Sequence, residues 1–287
     1  MQIIRSIRSM QAAARKIAGS GKTIGLVPTM GYLHRGHQSL IVRAAKLADV
    51  VIASVFVNPS QFGPGEDFKT YPRDEKGDIA RIAEALGKKK ARTAIVFAPK
   101  AIDIYPDDFE TWVTVEKLSQ TLEGKARPGH FRGVTTIVAK LFNITRPDVV
   151  VFGLKDYQQA MVLSRMTRDL GYPIKFVIAP TVREKDGLAM SSRNAYLDDL
   201  GRWEATCLYY SLRTAREMVR SGVADTRVLL REMKAVIKAT CPSANVDYIA
   251  FTDFKTLKPV KTVTTGTICS LAVRVHGVRL IDNLKLA

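Results

Sequence analysis

The amino-acid sequence predicts an α/β protein in which a parallel β-sheet, covered by helices on both faces, is followed by a smaller α+β domain. Short apolar runs rich in β-branched residues alternate with segments of helical periodicity in the first part of the chain, as in strands joined by crossover helices. The alternation stops near residue 182, after which two helical segments precede three strands. A chain of 287 residues suffices for two modest domains, which we place at residues 1–181 and 182–287.

The predicted strands of the first domain are short and apolar, which is typical of strands buried on both faces of a parallel sheet. They are Thr23–Val27, Val50–Val57, Ala94–Phe97, Val149–Phe152 and Lys175–Ile178. The helical segments among them include Ser39–Ala48, Glu75–Leu86, Gly133–Ile144 and Tyr157–Leu170. The basic, amphipathic segment Met1–Ala18 predicts a surface helix.

The predicted second domain begins with a polar loop over residues 183–194. Two helices are expected next, and three strands follow, with a hairpin turn at Val275–Val278. The expected elements are the helices Leu200–Ser221 and Thr226–Ala239 and the strands Val246–Phe251, Thr267–Val275 and Val278–Asn283.

Composition favours a soluble globular protein, with 46% hydrophobic and 25% charged residues. No apolar run approaches the ~20 residues that span a bilayer, so we expect no association with membranes. The cysteines Cys207, Cys241 and Cys269 are odd in number and lack metal-binding spacing. We therefore expect reduced thiols and a cytoplasmic protein.

The formal net charge of +17 suggests nucleic acid, a membrane surface or anionic substrates as partners. Both halves of the chain are basic, and the one basic run, Lys88–Lys90, is interpreted as a solvated loop. Aromatic residues do not interleave with basic ones in the manner of a single-strand-binding protein, so we expect no nucleic-acid partner.

The stretch Val27-Pro-Thr-Met-Gly-Tyr-Leu-His-Arg-Gly-His37 places two histidines, His34 and His37, between a strand and a helix. A turn at a helix N-terminus is a ready anion site, because unpaired backbone N–H groups converge there. Imidazoles at such a site can donate to phosphate oxygens and transfer a proton near neutrality. The alternative, histidines that only cap the helix or pack in the core, stays open at this point.

Three further polar segments follow predicted strands or enter the second domain. Asn58 and Gln61 follow a strand end and suit a small polar substrate, or form an ordinary turn. Gly153–Gln159 offers a close backbone approach, a phosphate-binding Lys155, and an Asp156 that either caps a helix or orients a nucleotide. Residues 187–194 suit closure over a triphosphate, or form a Ser-rich loop. A fourth polar segment, residues 123–133, is interpreted as a lid or an interface.

Taken in order, these motifs resemble the pantothenate synthetase (pantoate–β-alanine ligase) family, of the HxGH nucleotidyltransferase superfamily, over nearly the whole chain. The matching segments are PTMGYLHRGH, FVNPSQF, EDFKTYPR, EGKARPGHFRGV, FGLKDYQQ and PTVREKDGLAMSSRNAYL. The resemblance implies a Rossmann-like domain with a smaller C-terminal domain, and a cytoplasmic homodimer. It also implies ATP and magnesium, with pantoate and β-alanine as substrates.

Carried over by position, the resemblance assigns His37 as the proton donor, with His34 and Lys155 as further catalytic groups. Gln61 and Gln159 are expected to bind pantoate, and Gln61 also β-alanine, with Asn58 beside them. Asp78 matches an acidic position linked to magnesium. The residues expected to contact ATP are Met30, Gly31, His34, Gly36, His37, Gly153, Leu154, Lys155, Asp156, Val182, Met190, Ser191, Ser192 and Arg193.

Two positions depart from the family pattern. Leu154 stands where the family usually has an acidic residue, so a charge role is in doubt there although backbone contacts are not. The segment Gly87–Thr93 is longer and more basic than the usual connection, and we expect a surface elaboration.

The implied reaction is the joining of a carboxylate to an amine through an adenylate, with release of AMP and pyrophosphate. A simple adenylyltransferase that stops after nucleotide transfer is the alternative enzyme, since it would share the HxGH motif. AMP release that depends on a second, amine substrate separates the two hypotheses.

Overall fold

The structure, a computed structural model, describes residues 1–91 and 93–287, and only the backbone of residues 89 and 91. It forms two compact units. The first comprises Met1–Leu154 and Gln159–Pro180, and the second comprises Lys155–Gln158 and Thr181–Ala287. The ranges expected from the sequence, 1–181 and 182–287, differ from this division at residues 155–158 and 181.

The first unit is built on a six-stranded parallel sheet, which confirms the predicted fold class. The strand order is β1-β4-β3-β2-β5-β6, and neighbouring strands pair in parallel. Val27, Ile52, Val96 and Val150 are fully buried, as expected for strands covered on both faces. The strands are β1 Gln2–Ile4, β2 Ile24–Thr29, β3 Val50–Val55, β4 Ile95–Phe97, β5 Val149–Gly153 and β6 Lys175–Ala179.

Helices cover this sheet, and the longer ones bury apolar residues against it. Helix α2 packs on β2 and β5, while α6 packs on β2 and on α1. None of the helices in the described part of the chain is long and apolar enough to cross a membrane. The helices of this part of the chain are α1 Ile7–Gly19, α2 Arg35–Leu47, α3 Glu75–Ala91, α4 Ala101–Ile104, α5 Glu123–Ala126, α6 His130–Thr145 and α7 Tyr157–Asp169.

Two sequence predictions in this unit are corrected. The N-terminal segment is not one surface helix: Gln2–Ile4 forms strand β1 beside β4, and α1 then buries Met10 and Ala14. Helix α3 does not end at Leu86 but resumes after a break at Gly87, where φ is 66°. The Lys90 ammonium donates to the Ala45 carbonyl, so this end of the segment is not a fully solvated loop. The expectation for Gly87–Thr93 also includes Arg92, which lies outside the described residues.

The second unit carries an antiparallel sheet in the order β7-β8-β9, with α9 packed against β8 and β9. The expected hairpin turn is confirmed: Val275 pairs with Val278, and His276 and Gly277 between them have positive φ. The helix expected over Leu200–Ser221 is instead two helices. The elements are α8 Asp199–Glu204, α9 Cys207–Arg220, α10 Thr226–Thr240, β7 Asn245–Asp253, β8 Thr267–Val275 and β9 Val278–Lys285. All three cysteines are buried free thiols in this unit, as predicted.

A buried ion pair joins the start of the second unit to its last strand. Arg183 donates from Nη1 to Asp282 Oδ2 at 2.6 Å and from Nη2 to Oδ1 at 3.0 Å. The Asp282 side chain is 1% exposed, so the Arg183 guanidinium takes the place of the water that would otherwise solvate its carboxylate. The Arg183 guanidinium also lies 4.7 Å from the Tyr209 ring centroid.

Replacing Asp282 by Ala should lower the free energy of unfolding by about 3–5 kcal/mol, because the Arg183 guanidinium is then buried without its counter-ion. The matched control is Glu232→Ala, which breaks an exposed pair with Arg231 and should cost ~0–1 kcal/mol. Urea unfolding followed by tryptophan fluorescence measures both. Equal, small losses in the two variants would contradict the structural role of the buried pair.

Candidate active site

Three of the predicted site segments begin at the same edge of the sheet. The strands β3, β2 and β5 are consecutive neighbours and run in parallel. Asn58–Gln61 follows β3, Met30–His37 follows β2, and Gly153 is the last residue of β5. Their carboxyl ends therefore lie side by side, where open α/β sheets bind ligands.

His34 and His37 form a reciprocal cap at the N-terminus of α2. His34 is the N-cap residue, and its Nδ1 accepts from the Gly36 amide at 3.1 Å. The His37 Nδ1 accepts in turn from the His34 amide at 3.3 Å. The two ring centroids lie 4.1 Å apart.

This cap assigns the tautomer of both histidines. A ring nitrogen that accepts an amide N–H carries no proton, so each neutral imidazole has its proton on Nε2. Capping and phosphate binding are therefore compatible, since capping uses Nδ1 and a phosphate oxygen would accept from Nε2–H. The turn ahead of the cap has positive φ at Gly31 and Tyr32.

Asp78 anchors the turn that precedes the histidines. Its carboxylate, in α3, accepts from the Tyr32 amide at 3.0 Å and from the Leu33 amide at 2.6 Å. A Cβ at position 31 would lie 2.8 Å from the same carboxylate, which explains the glycine. Burial raises the pKa of Asp78, although the two amide bonds oppose that effect.

The family resemblance links Asp78 to magnesium, and in the structure each of its two oxygens accepts a backbone amide. Among the described residues, no group of three or more His, Cys, Asp and Glu side chains is arranged to hold a metal ion. Mg²⁺ can use one or two carboxylates together with substrate phosphates, and each carboxylate oxygen can accept more than one ligand, so the assignment of Asp78 to magnesium stays a prediction.

Gln61 lies in a short 3₁₀ turn, Pro59–Gln61, after β3. Its Oε1 accepts from Asn58 Nδ2 at 3.0 Å, and its Nε2 lies 3.1 Å from the Met30 sulfur. The Asn58 Oδ1 accepts from the Tyr105 hydroxyl at 2.9 Å and from the Ser60 hydroxyl at 2.9 Å. Asn58 thus orients the Gln61 amide. The other predicted pantoate-binding glutamine, Gln159, lies in the first turn of α7.

A network of charged and polar side chains holds the Pro59–Gln61 turn through the Gln61 carbonyl. Arg127 forms a two-pronged ion pair with Glu66, and His130, in the first turn of α6, donates from Nδ1 to the Gln61 carbonyl at 2.8 Å. The segment 123–133, interpreted from the sequence as a lid or interface, contains this support, and Glu123, His130 and Phe131 are buried.

His130 is neutral in the folded protein. Burial and the neighbouring Arg127 guanidinium lower the pKa of His130 to about 4. Its proton lies on Nδ1, because Nε2 faces the Arg127 Nη1 donor at 3.1 Å. The ring therefore links the guanidinium to the Gln61 carbonyl without carrying a charge.

Acidification should destabilise the folded protein through His130. In the unfolded chain a histidine becomes protonated near pH 6.5, whereas His130 in the folded protein stays neutral until about pH 4. The contribution of His130 to the free energy of unfolding is therefore fully present above pH ~6.5 and is lost as the pH falls towards 4. Compared with His130→Asn, the wild-type protein should lose up to about 3 kcal/mol more of unfolding free energy between pH 7 and pH 4. Parallel pH profiles in urea unfolding would contradict this.

The second unit brings together the remaining predicted ATP contacts. The Met190 amide donates to the Val182 carbonyl at 3.1 Å. The next residues inward, Arg183 and Ala189, form an antiparallel β-bridge. Ser191 caps the 3₁₀ helix Ser192–Tyr196 by accepting from the Arg193 amide at 3.3 Å. Val182 and Met190–Arg193 therefore belong to one tight hairpin and its exit.

Strand β9 also holds Lys155 in this unit. The Asn283 side chain donates to the Lys155 carbonyl at 2.8 Å, and the preceding residue in the strand, Asp282, holds Arg183. The Lys155 ammonium lies 3.3 Å from Asp156 Oδ1.

The hairpin of residues 182–190 is anchored in the structure. Met190 and Ser192 are buried, and the Arg183 guanidinium donates to the Gly187 carbonyl at 3.0 Å. The expectation of a mobile segment that closes over ATP stays a prediction, to be checked by amide exchange with and without nucleotide.

Sequence reasoning missed the residues that hold these segments in place. Glu66 and Arg127 both lie inside motifs of the family resemblance, but nothing in the sequence related either residue to Gln61. Arg183 and Asp282 are 99 positions apart, and no local pattern relates them.

Comparisons with known proteins agree with the motif pattern. A family model described as pantoate-beta-alanine ligase matches residues 2–285. The pantothenate synthetase of Geobacter sulfurreducens is 50% identical over 286 residues, covering 100% of this chain and 99% of that protein. The pantothenate synthetase of Heliobacterium modesticaldum is 49% identical over 284 residues, covering 99% of each.

Solved structures are similar over the same length. The crystal structure of pantothenate synthetase from Thermus thermophilus has a TM-score of 0.92 at 44% identity, and the match covers 100% of this chain and 99% of that one. The pantoate-beta-alanine ligase of Francisella tularensis, crystallised with beta-gamma ATP and β-alanine, has a TM-score of 0.80 at 34% identity, with 99% and 97% covered.

Proposed function

Because the chain belongs to the pantoate-beta-alanine ligase family, we propose that it activates pantoate with ATP, as pantoyl adenylate, before joining it to β-alanine. The ligation of pantoate and β-alanine to pantothenate follows from family membership at about 50% identity over the full length. The adenylate route is the finer proposal. Support for ATP as the co-substrate comes from the related ligase crystallised with an ATP species and β-alanine.

The chemistry requires activation, because a carboxylate and an ammonium do not condense in neutral water. A pantoate carboxylate oxygen attacks the α-phosphorus of ATP, and pyrophosphate leaves. The neutral amine of β-alanine then attacks the acyl carbon of the adenylate, forming the amide as AMP leaves and a proton is released. The protein's contribution is to align the reactants and stabilise the charge that develops on phosphate.

The reciprocal His34–His37 cap is the observation that carries this proposal. It places both rings at the N-terminus of a helix, a region of positive potential that follows β2 at the carboxyl edge of the sheet, and it uses Nδ1 of each ring. In the proposal these groups bind the ATP phosphates, His37 donates the proton, and Met30, Gly31 and Gly36 contact the nucleotide through the same turn. The anchoring of that turn by Asp78 supports a preorganised phosphate site.

The other assignments are part of the same proposal. Gln61 and Gln159 bind pantoate, Gln61 also contacts β-alanine, and Asn58 orients Gln61. Lys155 supplies a positive charge for phosphate. Further ATP contacts are proposed at Gly153, Leu154, Asp156, Val182, Met190, Ser191, Ser192 and Arg193. Magnesium bound to the ATP phosphates, a homodimer and a cytoplasmic location remain predictions.

A substrate-omission assay tests the reaction. With ATP, pantoate and β-alanine present, we expect pantothenate, AMP and pyrophosphate in equal amounts. Without β-alanine, pantoate should still support exchange of labelled pyrophosphate into ATP, because the adenylate forms first. ADP and phosphate as the products would contradict the adenylate route. Pyrophosphate release unaffected by β-alanine, with the adenylate and not AMP as the second product, would favour the simpler adenylyltransferase.

Replacing His34 or His37 by Ala should lower the pantoate-dependent exchange rate by about 10²–10³, the usual cost of losing one donor to developing charge. His276→Ala is the control, since this histidine lies in the β8–β9 turn. Circular dichroism should show an intact fold in all three variants. Exchange near the wild-type rate in both His34→Ala and His37→Ala would contradict the proposed phosphate site.

A further inference from the structure

The main-chain carbonyl of Gln61 is held by two donors from a segment far along the chain. His130 Nδ1 lies 2.8 Å from this oxygen, and Arg127 Nη2 lies 3.3 Å from it. The proposed substrate-binding glutamine is thus fixed at its backbone as well as at its side chain.

Arg127 is itself fixed by a carboxylate. Its Nε donates to Glu66 Oε1 at 2.6 Å and its Nη2 to Oε2 at 2.7 Å, the bidentate geometry that a guanidinium favours. Glu66 also accepts from the Gly63 amide at 3.1 Å, two residues after Gln61. Burial opposes ionisation of Glu66, but Arg127 and the amide together leave its pKa below the usual value, so the ion pair persists at neutral pH.

The two fixed ends of Gln61 leave its side-chain amide one orientation. Its Oε1 is taken by Asn58, so the Nε2 donors point towards Met30, next to the turn that carries His34 and His37. Helix α6 packs tightly here, since a Cβ at Gly133 would overlap the Ser60 carbonyl. A shift of α6 or of Arg127 would therefore move the Gln61 amide.

We propose that Glu66, Arg127 and His130 are positioning residues that aim the Gln61 amide at the carboxylic-acid substrate and so set the affinity for pantoate rather than for ATP. The inference rests on the proposed function, in which Gln61 binds pantoate. A misplacement of a binding group by about 1 Å can cost on the order of 10²-fold, so indirect support of this kind has a measurable effect.

The test compares His130→Ala with His130→Asn. Alanine removes the donor to the Gln61 carbonyl, whereas an Asn amide nitrogen can occupy the place of Nδ1. In the pantoate-dependent exchange assay, His130→Ala should raise the KM for pantoate by about tenfold or more and leave the KM for ATP within about twofold. His130→Asn should recover most of the loss.

A matched control is Thr145→Ala, which removes a buried hydroxyl at the other end of α6, where it donates to the Leu141 carbonyl. It should lower stability without changing either KM. Arg127→Lys is the second variant in case His130→Ala does not fold, because it keeps the charge but loses the two-pronged geometry. A folded Arg127→Lys protein with an unchanged KM for pantoate would overturn the proposal.

Combining His130→Ala with Gln61→Ala separates this inference from the proposed function. If His130 acts through Gln61, the double variant should have nearly the same KM for pantoate as Gln61→Ala alone. Additive effects, or equal rises in the KM for ATP and pantoate, would overturn the positioning role while the role of Gln61 stands. An unchanged KM for pantoate in Gln61→Ala would instead refute the proposed pantoate contact, and the positioning role with it.

Discussion

The parallel pairing of β3, β2 and β5 is the constraint on which the candidate site in the first unit depends. Because these three neighbouring strands run in the same direction, the polypeptide leaves all three at the same edge of the sheet. The segments at this edge differ in sequence and in conformation. One leads into a helix cap, one forms a 3₁₀ turn and one begins at a glycine, and the first two are held by contacts with residues far along the chain.

Those distant contacts all satisfy backbone groups of loops. A loop at a sheet edge has backbone groups that the sheet cannot pair, and each buried one needs a partner. Asp78 supplies it for the turn before His34, and His130 and Arg127 supply it for Gln61. Arg183 does the same for Gly187 in the second unit. A buried charge is costly by itself, and Arg127 and Arg183 each have an ion-pair partner, while Asp78 has two amide donors.

The fold class was predictable because periodicity is a local property of the sequence. Five of the six strands of the first unit, the terminal hairpin and the positions of the histidines all follow from short patterns. The strand Gln2–Ile4 was missed because three residues are too few to show alternation, and its formation depends on pairing with β4. Asp78, His130 and Asp282 gave no local sign of their partners, since those contacts exist only after the chain folds.

The chain passes between the two units more than once, which limits how either unit could be exchanged between related proteins. The polypeptide leaves the first unit at Lys155, returns at Gln159 and leaves again at Thr181. Neither unit is therefore a single uninterrupted stretch of sequence. Recombination at one crossover near residue 181 would transfer most of the second unit but leave Lys155 and Asp156 in the parental half. An exchanged second unit would therefore meet the Lys155 segment of the other parent, and its Asn283 hydrogen bond would still form, because that bond is made to the Lys155 main-chain carbonyl.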